Sequence, residues 1–148
     1  MQKFIIFFFI FFIFYENSQA QDEYFMTLRN DKVNLRQGPS DNYPIKIFYK
    51  KKFLPVLVID SSYNYRKIRD HENNSGWIHI SQLSKKKAAI VINNKLIMFR
   101  GATIYSNPLA VLEKGRFVKV NKCKESWCKV TSGSHKGWLQ KDGLWGLF

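Results

Sequence analysis

The sequence has little of what a helical or metal-binding protein is built from. No window of useful length combines apolar residues at positions i, i+3, i+4 and i+7 with capping residues, which is the pattern of an amphipathic helix. The 148 residues include only two cysteines and three histidines, without paired CxxC spacing, which disfavours a structural zinc site. We therefore expect almost no helix beyond the first twenty residues, no metal and no cofactor.

Long apolar runs are also scarce, and residues 4–14 form the main one. This run follows a short positive start and precedes residues 18–20 (SQA), which have the small-x-small form of a signal-peptidase site. Eleven apolar residues rise only about 16 Å as a helix, well short of a bilayer, although a retained anchor is the alternative. We predict a signal peptide (1–20) cleaved between Ala20 and Gln21, a mature chain without a transmembrane segment, and export to the periplasm or cell envelope.

Acidic residues are few: 11 Asp and Glu stand against 24 Lys and Arg, for a net charge of +13. A basic surface favours anionic partners such as nucleic acid, acidic polymers or anionic lipid headgroups. The runs Lys50-Lys51-Lys52 and Lys85-Lys86-Lys87 could meet on one face to bind an anionic polymer. Runs of lysine are usually just solvated, so a solvated charge run is favoured over a binding site for an anionic polymer. Nucleic acid is disfavoured as a partner.

What the sequence does contain is a repeat. The matched positions, by offset, are Arg36/Arg100, Pro44/Pro108, Ile47/Val111, Phe53/Phe117 and Val56/Val120 at 64, Tyr65/Trp127 and Ile68/Val130 at 62, and Gly76-Trp77/Gly137-Trp138 and Leu83/Leu144 at 61. The changes of offset fall in polar stretches that can serve as loops. The chain is therefore interpreted as two copies of a unit of about 60 residues, joined near residues 85–87.

Each copy has the pattern of short β-strands. In the first copy the segments that alternate or are rich in β-branched residues are 33–36, 45–49, 55–59, 65–69 and 76–80. Five short strands separated by turn-rich stretches suit a small barrel, because closure removes the unpaired edges of an open sheet. We predict an all-β fold of two tandem small barrels, residues 24–86 and 87–148, after the signal peptide.

Several motifs resemble the bacterial SH3 domain. VNLRQGPSDNYPI (33–45) and YRKIRDHENNSGWIHISQL (65–83) are similar to its opening, to its aromatic strand and to its closing Gly-Trp phrase. The second copy is similar through CKESWCKV, KGWL and LWGL, but it has IMFRGATIY in place of the opening motif. The resemblance covers roughly residues 26–148. It implies SH3-like barrels and a non-catalytic binding module, often one that attaches to the cell wall or to a protein partner, and it supplies no ligand.

The long loop of the first copy holds most of the candidate binding residues. Gly38-Pro39 enforces a turn there, which holds nearby side chains on a defined surface. The candidate ligand contacts are Arg36, Asp41, Asn42, Tyr43 and, in a later polar stretch, Tyr63. The alternative is a structural turn in which Arg36 pairs with a carboxylate across the barrel.

Four aromatic residues are predicted to belong to the barrel cores. Trp77 and Trp138 each follow a glycine that permits a close turn or bulge, and Tyr65 and Trp127 occupy one equivalent position. The alternative is that these rings form an exposed platform on which a sugar or peptide stacks.

Cys123 and Cys128 are predicted to form a disulfide. The exported chain would fold in an oxidising compartment, and two strands joined by a tight turn would bring these residues together. So short a loop should contribute only about 1 to 2 kcal/mol. The alternative is a reactive thiol paired with His135, which is disfavoured because a catalytic cysteine needs an oriented histidine within hydrogen-bond reach.

These observations favour an exported, non-enzymatic protein that binds a cell-envelope component, either peptidoglycan or a protein partner, through the loop face of the first copy. An electrostatic binder of an anionic polymer or nucleic acid is the alternative. A cell-wall hydrolase or transpeptidase is less favoured, since no catalytic constellation is evident. Because neither copy buries much core alone, we expect the copies to pack together through residues 85–92 and 144–147 and to unfold together.

Overall fold

A computed structural model of the protein describes residues 21–148. The signal peptide predicted for residues 1–20, including Ala20 of the cleavage site, lies outside the described residues, and Gln21 is exposed. Within the described part the regular elements are fourteen β-strands and two 3₁₀ helices of three residues each, so the predicted all-β fold is confirmed. Neither short helix could cross a membrane.

The first seven strands form one antiparallel sheet, called the first barrel below. They are β1 Tyr24–Leu28, β2 Val33–Arg36, β3 Ile45–Tyr49, β4 Pro55–Ser62, β5 Tyr65–Arg69, β6 Ser75–His79 and β7 Leu83–Ser84, in the spatial order β3-β2-β6-β5-β4-β1-β7. A 3₁₀ turn at Ile80–Gln82 precedes β7. Sequence periodicity missed β1 and β7, of which β7 has only two residues, too few to show alternation.

The next seven strands repeat this arrangement and are called the second barrel. They are β8 Ala88–Val91, β9 Lys95–Phe99, β10 Pro108–Glu113, β11 Phe117–Lys124, β12 Trp127–Ser132, β13 His135–Gln140 and β14 Leu144–Trp145, in the order β10-β9-β13-β12-β11-β8-β14. A 3₁₀ turn at Lys141–Gly143 precedes β14. The domain boundaries proposed above, 24–86 and 87–148, stay a prediction.

The repeated Gly-Trp phrase marks a close approach between strands. A Cβ atom on Gly76 would lie 2.7 Å from the carbonyl oxygen of Arg36, and one on Gly137 would lie 2.7 Å from that of Phe99. Only glycine leaves room for β2 to pass β6, and for β9 to pass β13, at this distance. The phrase therefore recurs because each barrel needs the same narrow crossing.

Strand pairing corrects the offset assigned to the first half of the repeat. Arg36 lies opposite Trp77, whereas Phe99 lies opposite Trp138. The counterpart of Arg36 is therefore Phe99, one residue earlier than the sequence match. The offset of 64 was wrong because a residue of similar type follows the true counterpart by one or two positions. Arg100, which resembles Arg36, directly follows the true counterpart Phe99.

The same correction applies to Phe53, whose counterpart in the second barrel is Gly115 and not Phe117. Its backbone N–H donates to Leu28 O at 2.8 Å, and the N–H of Gly115 donates to Val91 O at the same distance. Both residues have positive φ angles, 63° for Phe53 and 83° for Gly115. Glycine adopts this conformation readily, whereas an aromatic residue held there costs on the order of 1 kcal/mol or more.

Most side chains in both cores are aliphatic. The first core contains Leu28, Val33, Leu35, Tyr49, Leu54, Val56, Val58, Ile68, Ile78, Leu83 and Ile90, and the second contains Ala89, Val91, Leu96, Met98, Leu112, Val118, Cys128, Val130, Leu139 and Leu144. Ile90 belongs to β8 of the second barrel but packs in the first core. The two cores are thus linked through one strand.

The C-terminal residues complete the contact between the barrels. The ring of Phe25 on β1 packs edge-on against Trp145, with centroids 5.0 Å apart, and lies 4.8 Å from the ring of Phe148. Gly146 has a φ of 119°, and a Cβ atom there would lie 2.8 Å from Pro55 Cβ. The predicted packing through the connector and the C-terminal residues is confirmed.

We predict that the two barrels unfold in one transition. Ile90→Ala should lower the free energy of unfolding by about 2 to 3 kcal/mol, because it leaves a cavity in the first core. Val91→Ala, whose side chain lies in the second core, should shift the same single transition. Thermal unfolding followed by circular dichroism checks both variants, and two resolved transitions that shift independently would contradict the prediction.

Candidate functional site

The candidate site begins with the loop of residues 37–44, which joins β2 to β3. Backbone bonds close it: Gln37 N–H donates to Pro44 O at 3.0 Å, and Tyr43 N–H donates to Ser40 O at 3.3 Å. The ring of Tyr43 lies against Gly38, where a Cβ atom would come within 2.5 Å of it. The loop is therefore folded on itself, and Tyr43 remains 47% exposed.

Arg36, at the end of β2, holds this loop through hydrogen bonds from its guanidinium group. Its Nη1 donates to Asp41 O at 3.0 Å and to Tyr43 O at 2.9 Å, and its Nη2 lies 3.4 Å from Asp41 Oδ1. The side chain of Arg36 is only 19% exposed, whereas that of Asp41 is 82% exposed. The described hydrogen bonds of Arg36 therefore all go to the loop itself. The surface that a ligand can reach consists of Asp41, Asn42 and Tyr43.

Tyr65 ties the loop to the body of the barrel. Its hydroxyl donates to Asp41 Oδ1 at 2.7 Å, and its ring packs edge-on against His79 with centroids 5.1 Å apart. Burial raises the pKa of the Tyr65 hydroxyl above its ordinary value, and the hydrogen bond and charge of Asp41 add to the effect. The hydroxyl therefore stays protonated at neutral pH and orients the carboxylate of Asp41.

His79 is a member of this network that the sequence did not indicate. Its Nδ1 lies 2.7 Å from Ser81 Oγ and accepts from Ser81 N–H at 3.2 Å. The sequence signal was present but weak: a histidine in β6 is followed two residues later by serine, a spacing that allows a local side-chain bond.

Tyr63 lies at the tip of the hairpin between β4 and β5. It has a φ of 46° and is 98% exposed. Arg66 Nη1 donates to Tyr63 O at 3.0 Å and to Tyr65 O at 2.9 Å, so the tip is anchored next to the residue that orients Asp41. The positive φ belongs to the hairpin turn, since Glu125 at the corresponding tip of the second barrel has a φ of 54°. No described contact joins Tyr63 to residues 37–44.

The second barrel has a different chemistry at the corresponding place. Phe99 and Trp127 occupy the positions of Arg36 and Tyr65, and their rings pack edge-on with centroids 5.8 Å apart. The loop after β9 exposes Ile104 and Tyr105, by 56% and 90%. Within the part of the chain that the structure describes, the first barrel alone therefore combines an ion pair with a tyrosine hydroxyl at this face. Both exposed residues were missed because the loop lacks the opening motif of the first copy.

The three tryptophans predicted as core residues take other positions. Tyr65 is buried, but Trp77, Trp127 and Trp138 are half-buried and lie outside both core clusters. Trp138 has the ammonium of Lys122 5.8 Å from its ring centroid. The expectation of a barrel closed around a tryptophan is therefore corrected. Successive residues of a strand face opposite sides of the sheet, and the glycine before each tryptophan faces the close approach between strands. The indole therefore lies on the opposite, outer face.

Cys123 and Cys128 are joined in a disulfide directly across β11 and β12. His135 lies at the far end of β12 and β13, opposite Ser132, which places it about 13 Å along the hairpin from Cys128. Its Nδ1 lies 3.5 Å from Ser134 Oγ. Within residues 21–148 no group of three or more histidine, cysteine or acidic side chains could hold a metal ion.

The family model of the bacterial SH3 domain matches the chain twice, at residues 29–85 and 93–146. These two matches confirm the expectation of two tandem SH3-like domains. No curated protein matches the chain.

Solved structures that match the chain include two proteins from Trichomonas vaginalis, NlpC2 and NlpC1. Each is 11% identical to this chain with a TM-score of 0.38; the matches cover 84% and 86% of this chain and 48% and 47% of the other. An NlpC/P60 family protein from Bacillus cereus is 11% identical with a TM-score of 0.37, over 82% of this chain and 55% of that one. This chain therefore spans about half the length of these proteins.

We predict that Tyr65→Phe loosens the loop of residues 37–44. Loss of the hydroxyl removes one hydrogen bond to a charged acceptor and should lower the free energy of unfolding by about 1 to 2 kcal/mol. Amide hydrogen exchange in the loop should become faster. Tyr63→Phe is the matched control, because that tyrosine is 98% exposed. Equal effects of the two variants on loop exchange would show that the bond to Asp41 does not order the loop.

Proposed function

Because this chain belongs to the bacterial SH3 domain family, whose members are binding modules, we propose that it is an exported, non-catalytic protein that recognises a cell-envelope component. The ligand is peptidoglycan or a protein partner, and it docks on the loop face of the first barrel. The candidate contacts are Asp41, Asn42, Tyr43 and Tyr63, with Arg36 holding the loop from below.

The observation that carries this proposal is the bonded series Arg36, Asp41 and Tyr65. Arg36 and Tyr65 both contact Oδ1 of Asp41, at 3.4 Å and 2.7 Å, while most of its side chain faces solvent. A carboxylate oxygen can accept further hydrogen bonds. A loop that is ordered before binding loses less conformational entropy when the ligand arrives.

Tyr43 and Tyr63 add aromatic surface to this acceptor. A tyrosine combines a flat apolar ring with a hydroxyl and has few rotatable bonds, which is why such residues dominate contact surfaces. An amide or hydroxyl donor placed on Asp41, with an apolar portion stacked on a tyrosine, describes a peptide stem or a sugar equally well. This binding mode should depend only weakly on salt, in contrast to binding driven by lysines.

Export is part of the proposal. The predicted signal peptide at residues 1–20 and the disulfide between Cys123 and Cys128 both suit an oxidising compartment. The same disulfide argues against a cysteine nucleophile, because it occupies both cysteines of the chain and a cysteine attacks only as its free thiolate.

We expect the wild-type protein to sediment with purified peptidoglycan, or to capture a protein from a detergent-solubilised envelope fraction, at both 50 mM and 500 mM salt. Tyr43→Ala combined with Tyr63→Ala should weaken capture by at least about tenfold, since aromatic contacts of this kind are common hot spots. Tyr105→Ala, which removes a ring that is 90% exposed from the second barrel, is the control. The two fractions separate the two ligand classes. Binding that survives the double substitution would contradict the proposed face.

We also expect no wall hydrolysis by either the wild-type protein or Cys128→Ser, measured as the release of soluble fragments from labelled peptidoglycan. Activity in the wild type that disappears in the variant would overturn the non-catalytic assignment. Activity that is unchanged in the variant would do the same and would point to residues other than the cysteines.

A further inference from the structure

Three lysines from different parts of the chain meet around Phe53, at the seam between the two barrels. The ammonium nitrogens of Lys52, Lys86 and Lys119 lie 5.4, 5.3 and 5.4 Å from the centroid of the Phe53 ring. Lys52 comes from the first barrel, Lys86 from the connector and Lys119 from β11 of the second barrel. These three lysines are called the seam cluster below.

A cavity opens beside the seam cluster. Its volume is about 440 Å³, and its lining residues are Phe53, Lys86, Lys87, Lys119, Val120 and Asn121. A smaller cavity of about 260 Å³ lies by the same connector and shares Lys86 and Lys87 with it. The lining of the larger cavity contains one aromatic ring, three lysines and no acidic residue.

The charges of the seam cluster are not neutralised by carboxylates. Among the described residues the ion pairs within 4.0 Å are Arg36 with Asp41 and His71 with Glu72, and neither involves a lysine. Each ammonium of the cluster is within 5.4 Å of one ring centroid, closer than the Debye length of about 8 Å at physiological salt. An anion bound beside the ring, near the ammonium groups, would therefore be attracted by all three charges.

The backbone of Phe53 gives independent support. The equivalent residue of the second barrel is Gly115, and both have positive φ angles, which glycine adopts without strain and phenylalanine does not. At this position the first barrel has a large aromatic ring, whereas the second barrel has no side chain. This ring is the common contact of the three lysines, since the negative face of an aromatic ring attracts ammonium groups.

We propose that the seam cluster is a binding site for a multivalent phosphate anion. Lysine is a common phosphate ligand that acts as a compact point charge with three donors, and a multivalent phosphate carries enough negative charge to face three ammonium groups. The cavity lining contains two lysines of the cluster, a third lysine at position 87 and no arginine. Because the lysines come from both barrels and the connector, the ligand would also hold the barrels together.

This site is independent of the loop face proposed above, since none of its residues lies in the loop of residues 37–44. The test is isothermal titration of inorganic tripolyphosphate into the protein purified from cells that express the whole chain, at 50 mM salt. The triple variant Lys52→Gln, Lys86→Gln and Lys119→Gln should bind at least about tenfold more weakly, since each lost contact is charge-assisted. Its fold is checked by circular dichroism.

The matched control is Lys95→Gln, Lys124→Gln and Lys136→Gln, which removes the same charge from three exposed lysines of the second barrel. It should weaken binding by no more than about threefold, the effect of net charge alone. Equal losses in the two triple variants, or no binding of tripolyphosphate by the wild type at millimolar concentration, would overturn the proposal. Tyr43→Ala should leave the affinity unchanged, which separates this site from the loop face.

A second arm identifies the source of the phosphate. Sedimentation with phosphatidylglycerol vesicles that is weakened by the seam variant, but not by the control, would assign a lipid headgroup to the site. Vesicle binding that both variants lose equally, alongside selective loss of tripolyphosphate, would assign a soluble or polymeric phosphate.

Discussion

Strand β8 is the constraint on which the rest of the molecule depends. All four of its residues are buried, which is unusual for a strand in a small barrel, where one face normally meets water. Successive side chains point to opposite faces, so Ala89 and Val91 enter the second core while Ile90 enters the first. One strand thus serves two cores, and the barrels stabilise each other through it.

The seam follows from this sharing. Once β8 lies against the first barrel, the connector before it runs alongside Phe53, and the C-terminal residues after β14 pass over Phe25 and beside Pro55. Lysines that are far apart in the sequence are thereby concentrated beside one cavity. Mutual repulsion of these charges opposes the packing of the barrels, and a bound anion would relieve it.

The two barrels keep one architecture and differ in surface chemistry. The glycine of each Gly-Trp phrase is needed in both, because a Cβ atom would collide with the neighbouring strand. At the loop face, by contrast, an arginine, an aspartate and a tyrosine in the first barrel are replaced by a phenylalanine, a different loop and a tryptophan in the second. Among residues 21–148, a carboxylate held by an arginine and a tyrosine at this face is therefore found in the first barrel alone.

The amino-acid sequence by itself determined the all-β class, the duplication and the disulfide, because alternation, recurring Gly-Trp phrases and the short spacing of two cysteines are local features of the chain. It also indicated Arg36 and Asp41, since a Gly-Pro turn lies beside them. Only the tertiary structure decided that the tryptophans lie outside the cores, that the true partner of Phe53 is Gly115, and that Lys52, Lys86 and Lys119 meet. These outcomes depend on strand register and on how two barrels pack, and both are set by contacts between residues distant in the chain, which no local pattern records.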